Sequence, residues 1–95
     1  MSKENKCPEF IKEGDGYADI TLASSIKVDG ATVSTIRMRE PSVRDLENSQ
    51  DSREKPATAE IQMFANLCEM TPDQIRDLTA RNYFRLQASF ARFTR

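Results

Sequence analysis

A chain of 95 residues with 31% charged and 38% hydrophobic side chains supports one small domain with a thin core, because a chain this short buries only about two-thirds of the surface its unfolded form exposes. The net charge of −1 argues against a dedicated nucleic-acid binder, and the absence of histidine removes the commonest general base and metal ligand. With no His-Glu-x-x-His motif, no glycine-rich phosphate loop and no Cys-x-x-Cys pair, neither catalysis nor a cofactor or metal site is expected.

Charge is unevenly placed. Residues 71–95 hold five arginines against Asp73 and Asp77, a net of +3, which leaves −4 for residues 1–70. Cys7 lies in a polar stretch, whereas Cys68 lies among apolar residues where a thiol behaves as a small hydrophobe. There is no signal-peptide pattern and no apolar run long enough to span a bilayer. A cytoplasmic, reduced protein without a disulfide and without a membrane partner is therefore expected.

Residues 1–17 are polar, mixed in charge and broken by Pro8, Gly14 and Gly16, the composition of a flexible leader in which Phe10 and Ile11 are the only sizeable apolar residues. Residues 19–39 read as a β-hairpin. Ile20, Leu22, Ile26 and Val28 fall on even positions of the first strand, and Asp29-Gly30 is a strong two-residue turn signal. The return strand carries Val33, Ile36 and Met38, and here the alternation breaks. A two-residue loop pairs Ile26 with Val33 but Leu22 with Arg37. A bulge near Ser34-Thr35 is the favoured remedy, a longer loop the other.

Four helices are predicted, over about residues 42–49, 57–70, 72–78 and 80–93. Ser42 follows Glu40-Pro41 and can cap the first, with Asp45 three residues on; Val43, Leu46 and Ser49 are read as its inward side. Pro56 suits the opening turn of the second. That second helix is the element around which the chain is organised. Ile61, Phe64, Ala65 and Cys68 form one face and Met63, Leu67 and Met70 an adjacent one, an apolar arc wide enough to need neighbours on more than one side. Thr71-Pro72-Asp73-Gln74 is a capping box that starts the third helix, and Thr79 can cap the fourth. In that last helix Tyr83, Leu86, Phe90 and Phe93 form one apolar stripe, with Phe84, Ala88 and Ala91 a smaller second one. Tyr83 and Leu86 are expected to pack on the second helix, while Phe90 and Phe93, close to the end, are expected to be exposed and to offer a protein-docking surface.

The stretch from Phe64 to Ile75 also has the layout of a helix-turn-helix. Glu69 stands where the turn often has glycine, and Asp73 and Asp77 beside Arg76 would repel phosphates where a recognition helix enters a groove. A plain helical corner explains the same residues, and a small DNA-binding regulator is retained as the second reading.

Several stretches resemble the tail assembly chaperones of Mu-like and P2-like contractile-tailed phages. They are Asp19-Ile20-Thr21-Leu22, Ile26-Lys27-Val28-Asp29-Gly30 and Met38-Arg39-Glu40-Pro41-Ser42-Val43-Arg44-Asp45-Leu46 in the front half. In the back half they are Ala65-Asn66-Leu67-Cys68-Glu69-Met70-Thr71-Pro72-Asp73-Gln74-Ile75, Asn82-Tyr83 and Leu86-Gln87. The resemblance covers about residues 19–93. It departs from the family pattern at Glu69, where glycine is expected, and at Asn82, where an acidic residue is common; both changes read as compatible with a surface position.

The resemblance implies a non-enzymatic phage or prophage protein of the host cytoplasm, absent from the mature virion. It would coat the helical tape measure protein until the tail tube polymerises around it. A frameshifted longer form would engage the tail tube protein. An exposed hairpin edge would also permit self-association by strand pairing. The expected fold is α+β, with the N-terminal hairpin packed on three to four short helices in a single domain over residues 18–95. Candidate partner-binding residues are Arg39, Glu40 and Pro41 from the shared motif, and Tyr83, Phe84, Phe90 and Phe93 from the last helix.

Overall fold

Two Asp-Gly pairs lay out the sheet. In the computed structural model, which describes residues 7–95, β1 (Ile11–Gly14) turns through Asp15 and Gly16 into β2 (Tyr17–Val28), and β2 turns through Asp29 and Gly30 into β3 (Ala31–Arg39). The strands form one antiparallel sheet in the order β1-β2-β3. Asp29 (φ 52°) and Gly30 (φ 84°) both adopt the left-handed backbone that a primed hairpin turn requires. Four helices follow: α1 (Val43–Asp51), α2 (Pro56–Cys68), α3 (Pro72–Arg76) and α4 (Ala80–Phe93). The α+β class expected from the sequence is the observed one, with a third strand added.

That third strand corrects the expectation of a flexible leader over residues 1–17. Residues 1–6 lie outside the described residues, but Ile11 is 5% exposed and pairs with Ile20, and the Thr21 N–H donates to the Phe10 carbonyl at 2.8 Å. The physical cause is local. Asp15-Gly16 makes a turn whose Gly16 takes φ 84°, so the polar run before it folds back on β2. Glu13 then meets Arg92 of α4 in a bidentate ion pair, and the Arg85 guanidinium lies 4.4 Å over the Phe10 ring.

The irregularity of the hairpin falls on the opposite strand from the one expected. Ile26 pairs with Val33 and Thr21 with Thr35, so residues 22–25 of β2 face the single Ser34 of β3. The bulge therefore lies in β2, not at Ser34-Thr35, and the loop is the two-residue one. The Asn82 side chain of α4 is what holds it there. Its Oδ1 accepts from the Ala23 N–H (2.8 Å) and the Ser24 N–H (3.3 Å), while its Nδ2 donates to the Ser24 carbonyl (2.9 Å). Arg85 adds a bond to the Thr21 carbonyl at 2.8 Å. Asn82 is fully buried, which corrects its reading as a surface position.

The core lies between the sheet and the helices. Ala18, Ile20, Leu22, Ile36 and Met38 come from the sheet, and Met63, Phe64, Leu67, Cys68, Ile75 and Leu86 from the helices. Phe64 is fully buried at its centre, with the Tyr83 ring at 5.6 Å and the Phe90 ring at 5.4 Å, both tilted. The expected caps form. Ser42 and Asp45 make a reciprocal capping box on α1, Thr71 and Gln74 one on α3, and the Thr79 hydroxyl accepts from the Asn82 N–H. The expected 57–70 helix stops at Cys68, because Glu69 enters the left-handed region (φ 56°) and its N–H closes the last turn on Ala65 and Asn66. The expected 72–78 helix likewise stops at Arg76.

Asn82→Ala strands two bulge N–H groups and is expected to cost about 2–3 kcal/mol in urea unfolding. Asn82→Asp keeps the acceptor contacts but buries a carboxylate whose second oxygen faces the Ser24 carbonyl, so at pH 7 it is expected to cost at least as much and to recover in part as the pH falls. Glu69→Gly removes a left-handed strain of roughly 1–2 kcal/mol, partly offset by the looser unfolded chain, for a net gain of about 0.5–1 kcal/mol by the same measurement.

Candidate partner-docking surface

The Arg39-Glu40-Pro41 motif forms the joint between sheet and helices. Arg39 grips Asp45 in a bidentate pair at 2.7 and 3.1 Å, and Asp45 also accepts from the Ser42 N–H and hydroxyl. The Glu40 N–H donates to the Gly16 carbonyl at 2.9 Å, and Pro41 is half-buried. These contacts fix the angle at which α1 leaves β3. Arg39 and Glu40 remain open to solvent at their outer edges. The Arg39 guanidinium, followed by the Ser42 backbone N–H, holds the Asp45 carboxyl well below the usual carboxylate range.

The aromatic residues of α4 divide differently from the expectation. Phe90 and Phe93 are half-buried and pack against the core, so their expected exposure is corrected: the 3-4-3 spacing that made them a stripe carries them under α2. Tyr83 is half-buried as well. Its hydroxyl donates to Glu60, which also accepts from Gln87 at 2.9 Å. Burial, reinforced by the Glu60 carboxylate, pushes the Tyr83 hydroxyl well above its ordinary range. Phe84, on the outward side of α4, is the aromatic that meets solvent, at 61% exposure. Cys68 is buried with its thiol pushed up to about 12, a packed and unreactive group.

Sequence reasoning did not find the concave surface. Three open depressions lie around the helical corner, and two of them adjoin the hairpin. One of about 330 Å³ lies between residues 24–28 of β2 and Gln74, Asp77, Leu78 and Thr79. Leu78 also lines a second, of about 270 Å³, together with Ile61, Ile75, Arg76, Ala80 and Tyr83. Val28 also lines a third, of about 170 Å³, with Val33, Ile36, Cys68 and Met70 among its walls. Ile26, Val28, Val33 and Leu78 are all half-buried, so each keeps apolar surface available at a rim. The signal for this surface in the sequence is the run Ile26–Val33, whose apolar residues continue past the point where β1 stops covering β2.

A small α+β domain that offers linked open depressions of mixed polar and apolar lining around a helical corner has the build of a protein-docking module. A family model described as "Phage tail assembly chaperone proteins, E, or 41 or 14" matches residues 19–95, and the chain belongs to that family. No curated protein and no solved structure matches it. Membership suggests a non-enzymatic role with protein partners in tail assembly.

Three carboxylates are held below their ordinary range by arginines: Asp45 by Arg39, Asp19 by Arg37 and Glu13 by Arg92. Depressed folded-state values contribute stability that is complete above the unfolded range near pH 4 and is lost as pH falls through it. The melting temperature is therefore expected to fall as the pH drops below about 4, chiefly through Asp45. Arg39→Met should lower stability at pH 7 by about 1–2 kcal/mol and flatten that acid limb.

Proposed function

We propose that this chain binds the tape measure protein of its own phage in the host cytoplasm and keeps that protein's apolar helical surface soluble until the tail tube forms around it. The single observation that carries the reading is the family match over residues 19–95. The linked depressions supply a physical means. A tape measure helix would lay its apolar side chains at i, i+3, i+4 and i+7 into the hollows on either side of Leu78, the helix-in-groove mode. Open, shallow hollows give contacts that are weak singly and adequate in series, as a coat that must later be displaced requires.

The DNA-binding reading has less to support it. α3 spans five residues, Pro72–Arg76, a rise of only about 7.5 Å. Its exposed Arg76 is paired with Asp73, which leaves the corner without a basic helix for a major groove.

Co-expression with the tape measure protein of the same phage, followed by size-exclusion chromatography with light scattering, tests the proposal. The expected outcome is a soluble tape measure protein that co-elutes with several copies of this chain. Val28→Asp, at the rim of two depressions, should cut the recovered complex at least tenfold while the variant stays folded by circular dichroism. A tape measure protein that stays insoluble while this chain elutes alone would overturn the reading. Salt-sensitive binding to duplex DNA would favour the regulator instead.

A further inference from the structure

Among the described residues, the large hydrophobic side chains that stand in solvent are Val43 on α1, 81% exposed and so not on the inward side expected for it, and Phe84 on α4, 61% exposed. Each opens a stripe of its own. On α1, Val43, Glu47 and Asp51 follow one another at i, i+4 and i+8, and all three are exposed. On α4, Arg81, Phe84 and Ala88 fall at i, i+3 and i+7, with Arg81 exposed and Ala88 half-buried. The helices have opposite charge: α1 carries Asp45, Glu47 and Asp51 against Arg44, and α4 carries Arg81, Arg85 and Arg92 with no acidic residue.

The two stripes match only in one direction. Val43 to Asp51 spans about 12 Å of helix and Ala88 back to Arg81 about 10.5 Å. Laid antiparallel, Val43 meets Phe84 and Ala88, and Glu47 and Asp51 meet Arg81. Laid parallel, the carboxylates would face Phe84 and Ala88. Arg44 is turned about 100° from the Val43 stripe and Asp45 is engaged by Arg39, so neither enters this contact.

Both helix ends also carry charge of the wrong sign for their own dipole. The last turn of α1 has no basic residue and ends in Asp51, beside the carbonyl-rich negative end. The first turn of α4 has no acidic residue and contains Arg81, beside the positive end. In an isolated chain these placements are mildly unfavourable. Set against each other they are corrected, since Arg81 reaches the negative end of α1 and Asp51 the positive end of α4.

We infer that α1 of one copy docks on α4 of the next, a head-to-tail contact between copies of this chain built on Val43, Glu47 and Asp51 against Arg81, Phe84 and Ala88. Because the two surfaces differ, every copy can bind a neighbour on each side, so the contact propagates to an open series or a closed ring according to its rotation. The contact is small and salt-sensitive, so association is weak and concentration-dependent. It does not depend on the tape measure reading, since it involves this chain alone.

Analytical ultracentrifugation of the isolated full chain, from about 10 µM to about 1 mM, is the test. The weight-average mass of the wild type should rise with concentration beyond that of a dimer and fall back when salt is added. Arg81→Glu, and separately the Glu47→Arg/Asp51→Arg pair, should each hold the chain monomeric. Both variants improve the dipole match of a single copy, so each should melt no lower than the wild type. A 1:1 mixture of the two should recover association, because each variant then meets the opposite charge on the other. A wild type that stays monomeric throughout overturns the inference, with Phe84 assigned to the tape measure protein if Phe84→Ser then abolishes that co-elution. An α1 variant that associates as the wild type does, or a mixture that fails to recover, overturns it equally.

Discussion

One side-chain amide carries the joint on which this architecture depends. Asn82 is buried against a stretch of β2 that has left the ladder, and it supplies two acceptor contacts and one donor contact to that backbone. A bulge of three extra residues takes backbone groups out of the ladder, and those that turn inward would otherwise lack partners. An amide is suited to this role because it both donates and accepts at one site, as a backbone does. The bulge then lets the two ends of β2 behave differently. The near end packs Ala18, Ile20 and Leu22 on the helices, while the far end carries Ile26 and Val28 over the hollows beside Leu78.

Charge secures what the core is too small to hold alone. Arg92 ties β1 to the end of α4, Arg39 ties β3 to α1, and Arg85 both stacks on Phe10 and bonds the Thr21 carbonyl. Each of these arginines bridges elements that are distant in sequence or joined by a short loop. In the last quarter of the chain Arg92 meets Glu13 of the acidic front half, while Arg76 pairs with its neighbour Asp73.

Much of the fold was legible in the sequence, because local rules governed those parts. The α2 arc, the caps at Ser42, Thr71 and Thr79, and the Asp29-Gly30 turn all appear where residue type and spacing place them. β1 was missed because its composition is polar; the informative detail was Asp15-Gly16, the same turn pair that marks the second hairpin. The side of the bulge was misjudged because nothing near Ser24 announces that its partner lies 58 residues further on. Asn82 reads as a surface residue for the same reason. For Phe90 and Phe93 the stripe was right and the exposure wrong, since proximity to a chain end outweighed a periodicity that pointed inward. The depressions were invisible to pattern reading, because they arise between elements and not along them.

The span of the Asn82 bonds has a kinetic meaning. They join residues 58 and 59 positions apart, and the Glu13–Arg92 pair joins residues 79 apart. Loops that long close late, after local turns and helices have formed. Until α4 arrives, the sheet holds a bulge with unpaired backbone and an apolar face that α2 covers only in part, so it has no stable resting state of its own. The domain should therefore assemble in one cooperative step gated by its final helix. A protein whose own hydrophobic sheet is sealed last spends its folding time in the condition that chaperones exist to relieve.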